Sequence, residues 1–92
     1  MHTYLTCFDI QDNRSRRYVA RELERYGLRV QKSVFEITVH NDKALLALKK
    51  RLQQWTEDGD DIRFYHLCLA CRKVSHTVDN QRVAHFPKAV VL

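Results

Sequence analysis

An aspartate closing a hydrophobic run is the first side chain whose type and place could do chemistry. Residues 3 to 10, Thr-Tyr-Leu-Thr-Cys-Phe-Asp-Ile, are aromatic and β-branched, and Asp9 shares the parity of Leu5 and Cys7. That parity puts a carboxylate on a largely apolar strand face. Unpaired burial there is costly, so Asp9 must meet a cation, a hydrogen-bonding turn or solvent. Two readings satisfy this: Asp9 accepts N–H bonds from the turn that follows, or it ligates a hard cation. Mg2+ (or Mn2+) takes oxygen ligands and commonly uses one or two carboxylates with waters and substrate phosphates. A metal so held can polarise a phosphodiester and activate water. One carboxylate per chain suffices if a dimer axis brings two together.

The second chemically informative set is cationic. Residues 14 to 32 hold Arg14, Arg16, Arg17, Arg21, Arg25, Arg29 and Lys32 against Glu22 and Glu24, an excess equal to the whole net charge of +5. Such concentration points to an anionic polymer, most plainly nucleic acid. On a helix at about 100° per residue, Arg14, Arg17, Arg21 and Arg25 span only about 80° and form one stripe. A stripe of that kind suits a row of phosphates, or it is the solvated face that any sheet-packed helix needs. Arg16 falls on the opposite half with Val19, Leu23 and Tyr26. There it either reaches toward the end of the first strand or pairs with Asp12 or Glu36.

Other chemistries find little support. His2, His40, His66, His76 and His85 show no metal-ligand spacing, and neither a nucleophile motif nor a Gly-rich phosphate loop is present. Three cysteines cannot form a complete disulfide framework, which suits a reducing compartment. Cys68 and Cys71 make a CxxC, yet zinc would want two further ligands and a redox pair would want a helix N-terminus. They are expected to be small apolar residues in and just after a strand. No apolar run nears the roughly 18 residues of a membrane span, and no basic segment precedes the first apolar stretch, so a cytoplasmic protein without membrane contact is expected.

The elements that must position these residues follow from periodicity. After the first strand, Asp12 or Asn13 caps a helix from Arg14 to Tyr26, with Gly27 as its left-handed stop. Leu28 to Val39 is strand-like but long for one strand, so a kink near Gln31 to Ser33 is expected to split it. Asn41 or Asp42 caps a second helix whose Ala44, Leu45, Leu48, Leu52 and Trp55 share one face. An acidic turn, residues 57 to 61, leads to a strand from Ile62 to Leu69, and Ala89 to Leu92 reads as a last strand. The order βαββαβ plus that strand is a ferredoxin-like α+β sandwich with both helices on one sheet face. Residues 1–92 read as a single domain, small enough that a homodimer would supply missing burial.

A strand ending Phe8-Asp9-Ile10, then Arg16-Arg17 opening a helix that closes Tyr26-Gly27-Leu28, then Arg29-Val30-Gln31-Lys32-Ser33-Val34-Phe35-Glu36, resembles the CRISPR-associated endoribonuclease family, CRISPR-associated protein 2. The resemblance is close over residues 3 to 39, holds in pattern from 42 to 69, and fades beyond. It implies a ferredoxin-like homodimer in which residues 70–92 extend the domain and complete the partner's sheet. It also implies that Asp9 and its symmetry mate hold a divalent metal for phosphodiester cleavage, with Arg16, Arg17, Arg29 and Phe35 in the functional set. Phe8 stands where many members have Tyr, and Ile37 where Gly is common. Members also form the central dimer of the spacer-integration complex, in which a separate integrase performs transesterification. The resemblance therefore implies a part in CRISPR adaptation through either of two roles. One is a metal-dependent endonuclease on RNA or DNA. The other is a non-catalytic scaffold that binds double-stranded DNA and docks a CRISPR-associated integrase. Single-stranded RNA is a further candidate partner, although the aromatic RNP1 pattern of single-strand RNA-binding modules is missing.

Overall fold

Alternation with a period of two sends neighbouring strand residues to opposite faces of a sheet. In the computed structural model, which describes residues 1–83, Tyr4, Thr6 and Phe8 are buried on one face. Leu5 and Cys7 lie half-buried on the other, and Asp9 is exposed there. The elements are β1 (His2–Asp9), α1 (Asn13–Glu24), β2 (Gly27–Gln31), β3 (Val34–Val39), α2 (Asp42–Gln53), β4 (Asp61–Leu67) and α3 (Leu69–Lys73). The strands pair antiparallel in the order β2-β3-β1-β4, the ferredoxin-like arrangement expected.

Both long helices lie on the face of Tyr4 and Phe8. Val19, Ala20 and Leu23 of α1 and Leu45, Leu48 and Leu52 of α2 join Phe35, Ile37 and Val39 in one core. Asp12 caps α1 by accepting the Ser15 N–H at 2.8 Å, and those bonds to Ser15 hold its carboxyl below the ordinary aspartate range. Asn41 caps α2 through the Ala44 N–H at 2.8 Å. Between the helices sits a buried carboxylate: Glu22 is 3.2 Å from Arg25 and 3.6 Å from Arg51, whose Nη2 donates to the Tyr26 hydroxyl at 2.6 Å.

Two local expectations need correction. Gly27 is not a left-handed helix stop; it opens β2, and a Cβ there would lie 1.9 Å from the Glu36 carbonyl oxygen. Glycine is required by the close approach of two backbones rather than by its dihedral freedom. The last described strand ends at Leu67, because Cys68 caps the short helix α3, an element with too few residues to show periodicity. Through α3, Arg72 becomes buried and its Nη2 reaches Glu36 Oε1 at 3.4 Å. The strand expected at Ala89 to Leu92 lies outside the described residues. The long run from 28 to 39 does split into a hairpin, with Val30 as the extra residue of a bulge between Arg29 and Gln31. Among the described residues no helix is long and apolar enough to cross a membrane.

Candidate nucleic-acid interface and carboxylate pair

Strand register gathers the chemically informative residues at one end of the sheet. Cys7 pairs with Val34, and the Phe8 N–H donates to the Ser33 carbonyl at 3.0 Å, so the Lys32-Ser33 turn lies beside the end of β1. On the other side Asp9 pairs with Asp61, the first residue of β4. The chain then turns through residues 10 to 12 into α1. Arg16 fixes that turn: its Nη1 donates to the Ile10 carbonyl at 3.1 Å and its Nη2 to Asn13 Oδ1. The expected partners Asp12 and Glu36 are engaged elsewhere, Asp12 as a cap and Glu36 with Arg72.

Between α1 and the hairpin opens a cleft of about 540 Å³, into which Arg16, Arg17, Arg21, Arg29 and Lys32 converge beside Glu24. Five cations against one carboxylate form a local excess suited to phosphate. The Arg29 guanidinium carbon lies 5.2 Å from the centroid of Phe35, its cross-strand partner. Phe35 is fully buried and stacks on Phe8 with centroids 6.1 Å apart. The Phe35 ring thus supports Arg29 and the core. Arg14, Arg17 and Arg21 are exposed along the stripe. Arg25 is exposed too, but it is tied to Glu22, which removes it from the row of uncommitted cations.

Asp9 stands at the same end on the opposite face. Its parity was expected to be largely apolar, but Glu36, Thr38, Arg63 and Tyr65 share that face, and Asp9 is open to solvent. Desolvation therefore does not constrain it within one chain. Residues directly opposite across an antiparallel pair have Cβ atoms about 4.5–5.5 Å apart, and two carboxylates there repel. Asp61 is partly neutralised by Arg63, whose Nε lies 2.7 Å from Oδ2. The Tyr65 hydroxyl and the Asp61 carboxylate push the Arg63 pKa above its ordinary value. Asp61 was hidden in the sequence, inside a run that reads as an acidic turn, and only the β1–β4 register exposes it. An all-oxygen pair of this kind suits a hard cation that completes its shell with water and phosphate. Among the described residues no group of three or more His, Cys, Asp or Glu could hold a metal ion.

Cys68 and Cys71 are both exposed at the start of α3, not packed in or after a strand. The Cys71 N–H donates to Cys68 Sγ at 3.4 Å, which lowers the Cys68 pKa, while that sulfur in turn raises the pKa of Cys71.

Comparison with known proteins decides the family. The family model for CRISPR associated protein Cas2 matches residues 1–74, well past the segment in which the motif is evident. The chain belongs to the Cas2 family. Among its relatives, a CRISPR-associated endoribonuclease Cas2 of Synechocystis is 44% identical over 68 residues, 73% of each chain. Another CRISPR-associated endoribonuclease Cas2, from Chloroflexus aurantiacus, is 39% identical over 72 residues, 76% of each. Of solved structures, a chain of a partial Cas6-RT-Cas1–Cas2 complex superposes with a TM-score of 0.84 at 38% identity, covering all of both chains. Streptococcus pyogenes Cas2 superposes with a TM-score of 0.74 at 32% identity, covering 83% of this chain and 98% of that one.

Proposed function

We propose that this Cas2-family chain acts in CRISPR adaptation as a homodimer that binds nucleic acid along its basic cleft and cleaves phosphodiesters at a metal site built on Asp9. The carrying observation is the convergence of five cations at the sheet end that also bears the Asp9–Asp61 pair. Relatives named as endoribonucleases support cleavage. Arg17, Arg21, Arg29 and Lys32 hold the phosphates; Arg16 fixes the turn that joins the cleft to Asp9. Asp9, with Asp61 beside it, holds Mg2+ or Mn2+, and that ion when bound polarises the phosphate and acidifies water. The outer sheet face carries Leu5, Cys7, Tyr65 and Leu28, the last two about half exposed at 48% and 57%. A second copy covers this face and brings the two Asp9 residues together. The cytoplasm suits free Cys7, Cys68 and Cys71.

Scaffolding is the second reading, favoured by the full-length superposition on the chain of a Cas1–Cas2 complex. In it the same arginines hold a DNA duplex, a CRISPR-associated integrase docks on the dimer, and Asp9 is dispensable. Sedimentation and calorimetric Mn2+ titration test the metal reading. A dimer whose Mn2+ binding is lost in Asp9→Asn supports it; a stable monomer, or Mn2+ binding unchanged by Asp9→Asn, refutes it.

A further inference from the structure

A second cleft lies on the other side of the arginine row. Tyr18 of α1 and Trp55, just past the end of α2, stack with ring centroids 4.1 Å apart and planes inclined by 23°. Trp55 packs against the edge of the core, yet both rings are only half-buried and line an open cleft of about 440 Å³ with Arg14, Arg17 and Arg21. That volume falls in the range of about 300–1,000 Å³ typical of small-ligand sites. All the charge that lines it is positive. A ring pair that merely braced two helices would need no such setting. Stacked aromatics beside arginines are the chemistry that takes unpaired bases, because every base offers a π face while its neighbouring phosphates meet the cations.

We propose that Tyr18 and Trp55 form a stacking platform for an unpaired base of a single strand whose phosphates lie on Arg14, Arg17 and Arg21. Arg17 and Arg21 also line the first cleft, so a strand leaving a duplex bound there meets the platform next. The proposal rests on the nucleic-acid reading of that row and adds the ligand class: bases free of pairing. It differs from recognition on central strands, since both rings sit at the helix layer.

Trp55 is the chain's one tryptophan, so its emission reports this place alone. The test titrates the wild-type chain with oligothymidylate, oligouridylate, an abasic strand of equal length, and a duplex. Base-bearing strands should quench Trp55 and bind about 5- to 150-fold more tightly than the abasic strand, the range for one stacked base. Trp55→Ala should abolish that difference, leave duplex affinity unchanged, and be rescued by Trp55→Phe. If Trp55→Ala does not fold, the wild-type comparison of base-bearing with abasic strands decides. Duplex binding without any base-dependent gain or quench overturns the platform alone. Failure of every nucleic acid to bind overturns the arginine row and the platform with it. Thymidylate against uridylate shows whether DNA or RNA is preferred.

Discussion

Removing Arg17 and Arg21 together should flatten the salt dependence of duplex binding by a calculable amount. Each phosphate neutralised contributes a slope of about −0.9 to log affinity against log salt. If Arg17, Arg21, Arg29 and Lys32 each meet a phosphate, the wild-type slope per protomer is about −3.6, and the double variant falls to about −1.8. Between 50 and 200 mM salt that corresponds to a loss of affinity of roughly 150-fold for the wild type and roughly 12-fold for the variant. Fluorescence anisotropy across a salt series measures both. Arg25→Ala serves as the control, because its guanidinium is bound to Glu22 3.2 Å away and should shift the slope by much less than one unit. A slope unchanged by losing Arg17 and Arg21, or changed as much by losing Arg25, would refute the assignment of phosphates to this cleft.

Gly27→Ala should destabilise the fold by about 3 kcal/mol or more in chemical denaturation, since its Cβ would overlap the Glu36 carbonyl oxygen and force β2 off its register. Glu22→Ala should cost about 3 kcal/mol by leaving Arg51 without its carboxylate between the helices, whereas Glu22→Gln should cost less. Cys68 should be alkylated faster than Cys71 near neutral pH, because the Cys71 N–H favours the Cys68 thiolate while that sulfur holds the Cys71 proton. Peptide mass spectrometry after brief labelling would show the order, and faster labelling of Cys71 would contradict it.

The fold was legible because its signals are local. Alternation in residues 3 to 10, the Asp12 and Asn41 caps and the helical spacing of Leu45, Leu48 and Leu52 each specify an element without knowledge of the others. Non-local facts were not legible. Asp61 became a partner of Asp9 only through register, and parity alone could not tell which face of β1 the helices would cover. Gly27 sits one residue after a helical pattern, where a left-handed cap is the usual reason for glycine; the approach of Glu36 across the hairpin is invisible in one dimension. Trp55 shares a helical face with core leucines, so its sequence position reads as packing, and only the adjacent arginines of another helix set it apart. Arg25 fell on the stripe by angle but is diverted by a carboxylate three residues earlier.

Cleavage assays on Asp9→Asn bear most directly on the proposed metal-dependent cleavage. The substitution keeps the side chain's shape, removes its charge and relieves its repulsion of Asp61, so the dimer and its duplex affinity should persist. Labelled RNA and DNA incubated with Mg2+ or Mn2+ should be cut by the wild type and left intact by the variant. Cleavage by rigorously purified Asp9→Asn at the wild-type rate would contradict a metal site on Asp9.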